Sequence, residues 1–220
     1  MKQYNEYKDS GVKWIGEIPK HWDAIRIKFI GKTLGGLTYS PDDVCSPEEG
    51  IIVLRSSNIK NNELSFYDNV YVKKELQDKD FIKQGDLLIC SRNGSADLVG
   101  KCAIIDKPIN ASFGAFMMVL RPSMTLNSKY VYYISQVCID KYKATFKTST
   151  INQLTNSLLG NIYSPYTYSE HEQKAIVSYL DEKVSKIDRY ISTAERKIAA
   201  LDELKQVTIA DAVTHGINPN

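Results

Sequence analysis

Three short stretches of the sequence each combine a cation with small hydrogen-bonding side chains: Arg55-Ser56-Ser57-Asn58, Ser91-Arg92-Asn93-Gly94-Ser95 and Lys147-Thr148-Ser149-Thr150. A guanidinium can fork onto guanine O6 and N7, a side-chain amide can do the same on adenine, and Lys, Ser and Thr can hold phosphate oxygens. On this chemistry Arg55, Asn58, Arg92, Asn93, Thr150 and Gln153 are the candidates for base contact, and Lys143 and Lys147 for phosphate. Ser56, Ser95, Thr148 and Asn152 complete the candidate DNA-binding set. Tyr142 and Phe146 interleave aromatic surface with Lys141, Lys143 and Lys147. Solvated surface turns use the same residue types, so the stretches by themselves leave both readings open.

The signatures of catalysis fail one by one. Neither GxGxxG nor GxxxxGK[ST] occurs, so no phosphate-cradling loop is expected. Ser164-Pro165-Tyr166 only shadows the Asn/Asp-Pro-Pro-aromatic motif of base-amino methyltransferases. Pro41-Asp42 could open a nuclease motif, but no acidic-x-Lys strand follows it. Glu48-Glu49 and Asp42-Asp43 fall in loops and read as solvated pairs. Cys45, Cys90, Cys102 and Cys138 are scattered without a CxxC, and His21, His171 and His215 supply no zinc spacing. No catalytic residue, metal site or cofactor is therefore expected in this chain. The cysteines fit a reducing, cytoplasmic compartment, and no apolar run approaches the roughly 20 residues of a membrane span.

The elements that must position these loops read as a mixed domain followed by a rod. With 43% apolar residues and 14 tyrosines among 220 residues, the chain can build a real core. The formal charge is only +2, too slight to argue for nucleic acid by itself. Residues 169–220 hold seven basic and nine acidic side chains, leaving 21 and 17 for residues 1–168, so the mild basicity lies in the first part. Residues 1–22 are turn-rich, with Trp14, Ile15, Ile18 and Trp22 placed to clamp the segment onto a core. Strands are expected at Ala24–Ile30, Ile51–Leu54, Val70–Val72, Leu87–Cys90 with its hairpin partner Lys101–Ile105, Ala115–Leu120 and Ser157–Tyr163. Gly31–Pro41 reads as a loop, and Ser128–Tyr142 has helical spacing.

From Ser169 to Gln206 there is neither Gly nor Pro, and Ser169 with Glu172 has capping-box spacing. Val177, Val184, Ile191 and Ile198 share one heptad position; Leu180, Ile187, Ala194 and Leu201 share the other. Such a helix wants another helix, and the seam predicts self-association as an antiparallel two-fold dimer. The fold class expected is α+β: a strand-rich domain over 1–168, a spacer or dimerisation helix over 169–206, and a tail or connector over 207–220. A non-catalytic protein–protein scaffold with a coiled-coil helix remains the alternative.

Three stretches also carry a resemblance: YKDSGVKWIGEIPKHW, then GDLLICSRNGSADLVGKCAII, then EHEQKAIVSYLDEKVSKID. Together and in this order they resemble type I restriction–modification specificity subunits, over nearly the whole chain. The resemblance implies a target recognition domain followed by a long helix. A full subunit of that family holds two such units with antiparallel helices, each domain reading half of a bipartite DNA site. It also implies that methylation, with its S-adenosylmethionine, belongs to partner methyltransferase subunits, and cleavage to a restriction subunit joined through the complex. This chain has one domain and one helix, so its helix partner would be a second half-subunit or another copy of itself. The ending AVTHGINPN resembles the segment joining a first helix to a second recognition domain. The loop before Gln153 lacks a glycine often found there, which bears on the contact role of Thr148 to Gln153.

Overall fold

A computed structural model describes residues 4–124, 126–146 and 152–217. Contacts divide the chain into two units, Met1–Lys174 and Ala175–Asn220. The first is the strand-rich α+β part. One of its four-stranded sheets is antiparallel throughout and runs Cys102–Ile104, Leu87–Cys90, Met117–Pro122, Gly31–Gly35 from edge to edge. A second runs Ala111–Phe113, Ile51–Leu54, Tyr71–Val72, Val44–Cys45, with its first pair parallel. Leu88, Cys90, Met117 and Val119 of the first sheet meet Ile52, Leu54, Ala111 and Phe113 of the second in one buried cluster. Every residue of Leu87–Cys90 is buried, so that strand reads as an unbroken apolar run instead of alternating. Helix α1, Ser128–Tyr142, packs on the strands Cys102–Ile104 and Tyr163–Tyr166. Asn127 caps it, its side-chain oxygen accepting from the Lys129 and Tyr130 amides.

Four expectations are corrected. Gly31–Pro41 is not all loop, because Gly31–Gly35 is an edge strand paired with Met118–Pro122. Its first glycine sits where backbones approach: a Cβ on Gly31 would lie 2.7 Å from the Arg121 carbonyl oxygen. The strand at Ala24–Ile30 is confined to Asp23–Arg26 and gives way to a 3₁₀ turn at Ile27–Phe29. Ser157–Tyr163 is largely the short helix α2, Asn156–Asn161, and the strand that follows is Tyr163–Tyr166, paired with Asp23–Arg26. The Thr155 hydroxyl caps α2 by accepting from the Leu158 amide at 3.1 Å, a start signal that the apolar pair Leu158-Leu159 obscured. Finally, the apolar strand starts at Met117, since Ala115 and Phe116 form an exposed turn.

Helix α3 runs Glu170–His215. The Ser169 hydroxyl accepts from the Glu172 amide at 3.3 Å, the forward half of the capping box. The return half is replaced: the Ser169 amide donates to Thr167 Oγ1 at 3.2 Å. The Glu172 carboxylate instead gathers donors from the start of the chain, Tyr4 at 2.7 Å and His21 Nε2 at 2.9 Å, with the Thr167 hydroxyl beside them. The helix also continues past Gln206 where a connector was expected. No Gly or Pro intervenes before Gly216, whose φ of +72° suits the residue just past a helix end. At about 1.5 Å per residue its 46 residues span roughly 69 Å. Val184, Ile187, Ile191, Ile198 and Leu201 of the seam are all exposed, as is Ala194.

Candidate nucleic-acid interface

Strand pairing brings the second candidate loop to the candidate readers Asn152 and Gln153. Immediately after the buried strand Leu87–Cys90, Arg92–Asn93 leaves the sheet and pairs antiparallel with Asn152–Gln153, Arg92 opposite Gln153 and Asn93 opposite Asn152. The turn is fixed from both sides. The Leu154 amide donates to the Ser91 carbonyl at 2.8 Å, and the Ser91 and Arg92 amides both donate to the Phe116 carbonyl, at 2.9 and 3.1 Å. Four amide or guanidinium side chains thus project from a short ladder that cannot slide. Arg92 Nη2 donates to Gln153 Oε1 at 3.0 Å, and its guanidinium lies 5.7 Å from the centre of the Phe116 ring. Its Nε is buried without a partner among the described residues. Its acceptor is a neutral amide, so the positive charge is oriented but not neutralised.

The first loop joins the same patch. Asn93 Nδ2 donates to Ser56 Oγ at 3.4 Å, while Asn93 Oδ1 accepts from the Ser95 amide at 3.0 Å, an Asx turn that holds the loop tip. Asn152 Nδ2 donates to the Gly94 carbonyl at 3.1 Å, and Lys101 Nζ to the Ser56 carbonyl at 3.3 Å. Lys143 Nζ reaches the Asp97 carbonyl in the same long loop at 2.9 Å. Ser56, Arg92, Asn93, Ser95, Asn152 and Gln153 are therefore neighbours, with Lys143 at the loop's far end. Lys147, Thr148 and Thr150 lie outside the described residues.

Two of the expected contacts have other duties. Asn58 is fully buried and hydrogen-bonded throughout. Its Oδ1 accepts from the Arg55 amide at 2.8 Å, and its Nδ2 donates to Ser65 O, Asp68 O and Asn69 Oδ1 at 2.9, 3.2 and 3.2 Å. It staples two loops and has no free edge to offer a base. Arg55 is half-buried and ion-paired, Nη2 to Asp68 Oδ2, at 2.8 Å.

Sequence reasoning also missed neighbours of the patch. Phe116 is 60% exposed beside Arg92. Its signal was Gly114, which breaks the apolar run just before the turn. Lys101, directly after Gly100, was counted only as the first residue of a strand. Elsewhere on the domain, Tyr67 is 90% exposed with Lys60 Nζ 5.2 Å from its ring centre, and nothing in its spacing marked it. Beside Phe116 opens a cleft of about 710 Å³, lined by Leu37, Tyr39, Pro41, Val44 and Arg55 among others. Gly36, just before the lining residue Leu37, abuts Gly114: a Cβ there would lie 2.0 Å from the Gly114 carbonyl oxygen.

Three of the cysteines are buried, Cys90 directly beneath the ladder with its thiol donating to the Arg92 carbonyl at 3.6 Å. Burial pushes the Cys102 and Cys138 thiols up to about 12 and raises Cys90 as well, so these three are packing residues. No described helix is long and apolar enough to cross a membrane.

Fold and site together define a strand-rich α+β domain with a preorganised polar patch, followed by one long helix. The family described as the type I restriction modification DNA specificity domain matches residues 19–201, and the chain belongs to it. It is 26% identical over 210 residues to the type I restriction enzyme StySPI specificity subunit of Salmonella potsdam, covering 90% of this chain and 44% of that protein. The EcoKI specificity subunit of Escherichia coli (strain K12) is 26% identical over 203 residues, with the same coverage of 90% and 44%. The chain thus spans less than half the length of these curated relatives. Among solved structures, a chain from a type I R-M system studied for complex assembly and conformational transition superposes with a TM-score of 0.73 at 17% identity, covering 96% of this chain and 49% of that one. The HsdS subunit from Thermoanaerobacter tengcongensis gives 0.68 at 17% identity, covering 96% and 48%. The two structures share the fold.

Proposed function

We propose that this chain is the DNA-reading half of a type I specificity subunit, recognising one half of a bipartite site without catalysing any reaction. The observation that carries the reading is the ladder Arg92–Asn93 against Asn152–Gln153, which holds a guanidinium and three amides at one rigid place on a polar surface. Base reading needs that preorganisation, and it needs no catalytic group. Methyl transfer and its S-adenosylmethionine then belong to methyltransferase subunits docked on the chain, and cleavage to a restriction subunit of the same complex. The exposed part of the α3 seam, from Val184 to Leu201 and without the buried Val177, supports pairing with an antiparallel helix, from a second half-subunit or another copy of this chain. The compartment consistent with this function is the cytoplasm.

The test is co-expression with a methyltransferase subunit, followed by sequencing of methylated positions. A bipartite motif that appears only with this chain, and changes at one position with Arg92→Ala, is the expected result. Binding of the purified chain to duplex DNA should also weaken steeply with salt as counterions are released. Methylation independent of the chain, together with salt-insensitive or absent DNA binding, would favour a protein–protein scaffold instead.

A further inference from the structure

Phe116 is an apolar side chain set among polar readers. Its ring is 60% exposed, yet its backbone is held on two sides: its carbonyl accepts from Ser91 and Arg92, and the preceding Gly114 amide donates to the Leu54 carbonyl at 2.9 Å. The turn cannot fold the ring back into the core, and the Arg92 guanidinium lies 5.7 Å from it. Next to it the cleft is walled by Leu37, Tyr39, Pro41 and Val44, and Arg55 stands on its lining. The apolar ground is thus continuous with the polar patch. In the major groove only thymine presents an apolar group, its 5-methyl. Resting on the DNA-reading function above, we infer that Phe116 is a specificity-determining residue that covers a thymine methyl. Successive base pairs are about 3.4 Å apart, so this thymine lies within two base pairs of the one that Arg92 reads.

The experiment uses the chain assembled with its methyltransferase partner. The motif is read by sequencing for wild type, Arg92→Ala and Phe116→Ala, and duplex binding is then measured with each thymine replaced by deoxyuridine. The expected motif has a thymine within two base pairs of the position that Arg92→Ala relaxes, and Phe116→Ala relaxes that thymine. Deoxyuridine there weakens wild-type binding about fourfold, the worth of one methyl group withdrawn from water, and leaves Phe116→Ala unchanged. Phe116→Leu, which keeps an apolar surface, retains part of the thymine preference. Three results would each overturn the inference: no thymine in that window, equal wild-type binding of deoxyuridine, or a Phe116→Ala loss shared by all sequences. The last would mark the ring as a wedge between base pairs. If Arg92→Ala still relaxes one position in those cases, DNA reading stands and only the role of Phe116 falls. A wild-type assembly that prefers no sequence sinks both.

Discussion

Replacing Glu172 by Gln should loosen the start of the chain from the start of α3, and the cost can be worked from the contacts. The carboxylate accepts from the Tyr4 hydroxyl at 2.7 Å, from His21 Nε2 at 2.9 and 3.0 Å, from Trp22 Nε1 at 3.4 Å and from the Thr167 hydroxyl. Burial on its own would raise the Glu172 pKa, but the hydrogen bonds from Thr167, Tyr4, His21 and Trp22 outweigh it and hold the group at about 2. A hydrogen bond to a charged group is worth roughly 1.5–3 kcal/mol when lost, and bonds converging on one carboxylate do not add in full. Gln keeps one acceptor oxygen and turns the other into a donor facing donors. About 2–3 kcal/mol is therefore the expected loss at pH 7, roughly 4–12 °C in Tm for a domain of this size. The pH dependence has a definite sign. A carboxyl lowered from 4.5 to about 2 contributes stability that is complete above 4.5 and is lost as pH falls toward 2. Wild type should therefore lose stability through that window more steeply than Glu172→Gln. Thermal melts of both proteins from pH 7 to pH 2, followed by circular dichroism, check this. Equal melting temperatures at pH 7, or parallel acid limbs, would refute the idea that this carboxylate ties the segment down.

Arg121→Ala should destabilise by about 3–5 kcal/mol, because it strands the Asp86 carboxylate, 1% exposed and held by Arg121 Nε and Nη2 at 2.8 and 2.7 Å. Chemical denaturation would measure the shift, and a loss below 1 kcal/mol would refute it. Asn58→Ala should cost about 2–4 kcal/mol in the absence of any DNA, because it leaves the Arg55 amide and the carbonyls of Ser65 and Asp68 short of a partner. A variant of unchanged stability but altered DNA preference would restore Asn58 as a reader. Ile187→Asp with Ile191→Asp should dissociate a helix-paired assembly while the domain keeps its circular dichroism spectrum. Those residues are 55% and 51% exposed, and each is worth roughly 1.5–3 kcal/mol once fully covered. Sedimentation would report the mass, and an unchanged assembly would move the interface off the seam.

How much of this was legible in the sequence follows from which residues repeat and which do not. Helix α1 was legible because Ser128–Tyr142 has helical spacing, while the Asn127 cap at its start went unread. The hairpin Leu87–Cys90 with Cys102–Ile104 was marked by an apolar run and flanking turns. Gly31–Gly35 was hidden because a glycine at either end looks like a loop residue, although Gly31 serves close backbone approach. Helix α2 was hidden because six residues give too little periodicity to tell a helix turn from a strand. The candidate readers were nameable by type, but their grouping was not. Arg92 and Gln153 are 61 positions apart, and only the ladder between their strands makes them neighbours.

That grouping also ranks the readers. A side chain can turn to a base only if releasing its present partner costs little. For Arg55 that partner is Asp68, in a partly exposed pair of a kind that contributes only about 0–1 kcal/mol, so under the proposed function Arg55 is recruited as DNA approaches. Arg92 needs no such exchange, because Gln153 neutralises none of its charge and fixes its plane. Asn58 would have to unmake four hydrogen bonds in a buried site, a cost that no single base contact of about 1–3 kcal/mol would offset. Under the proposed function, Arg92 is therefore the anchor of the patch, Arg55 the residue that joins on contact, and Asn58 the staple that keeps Arg55 within reach.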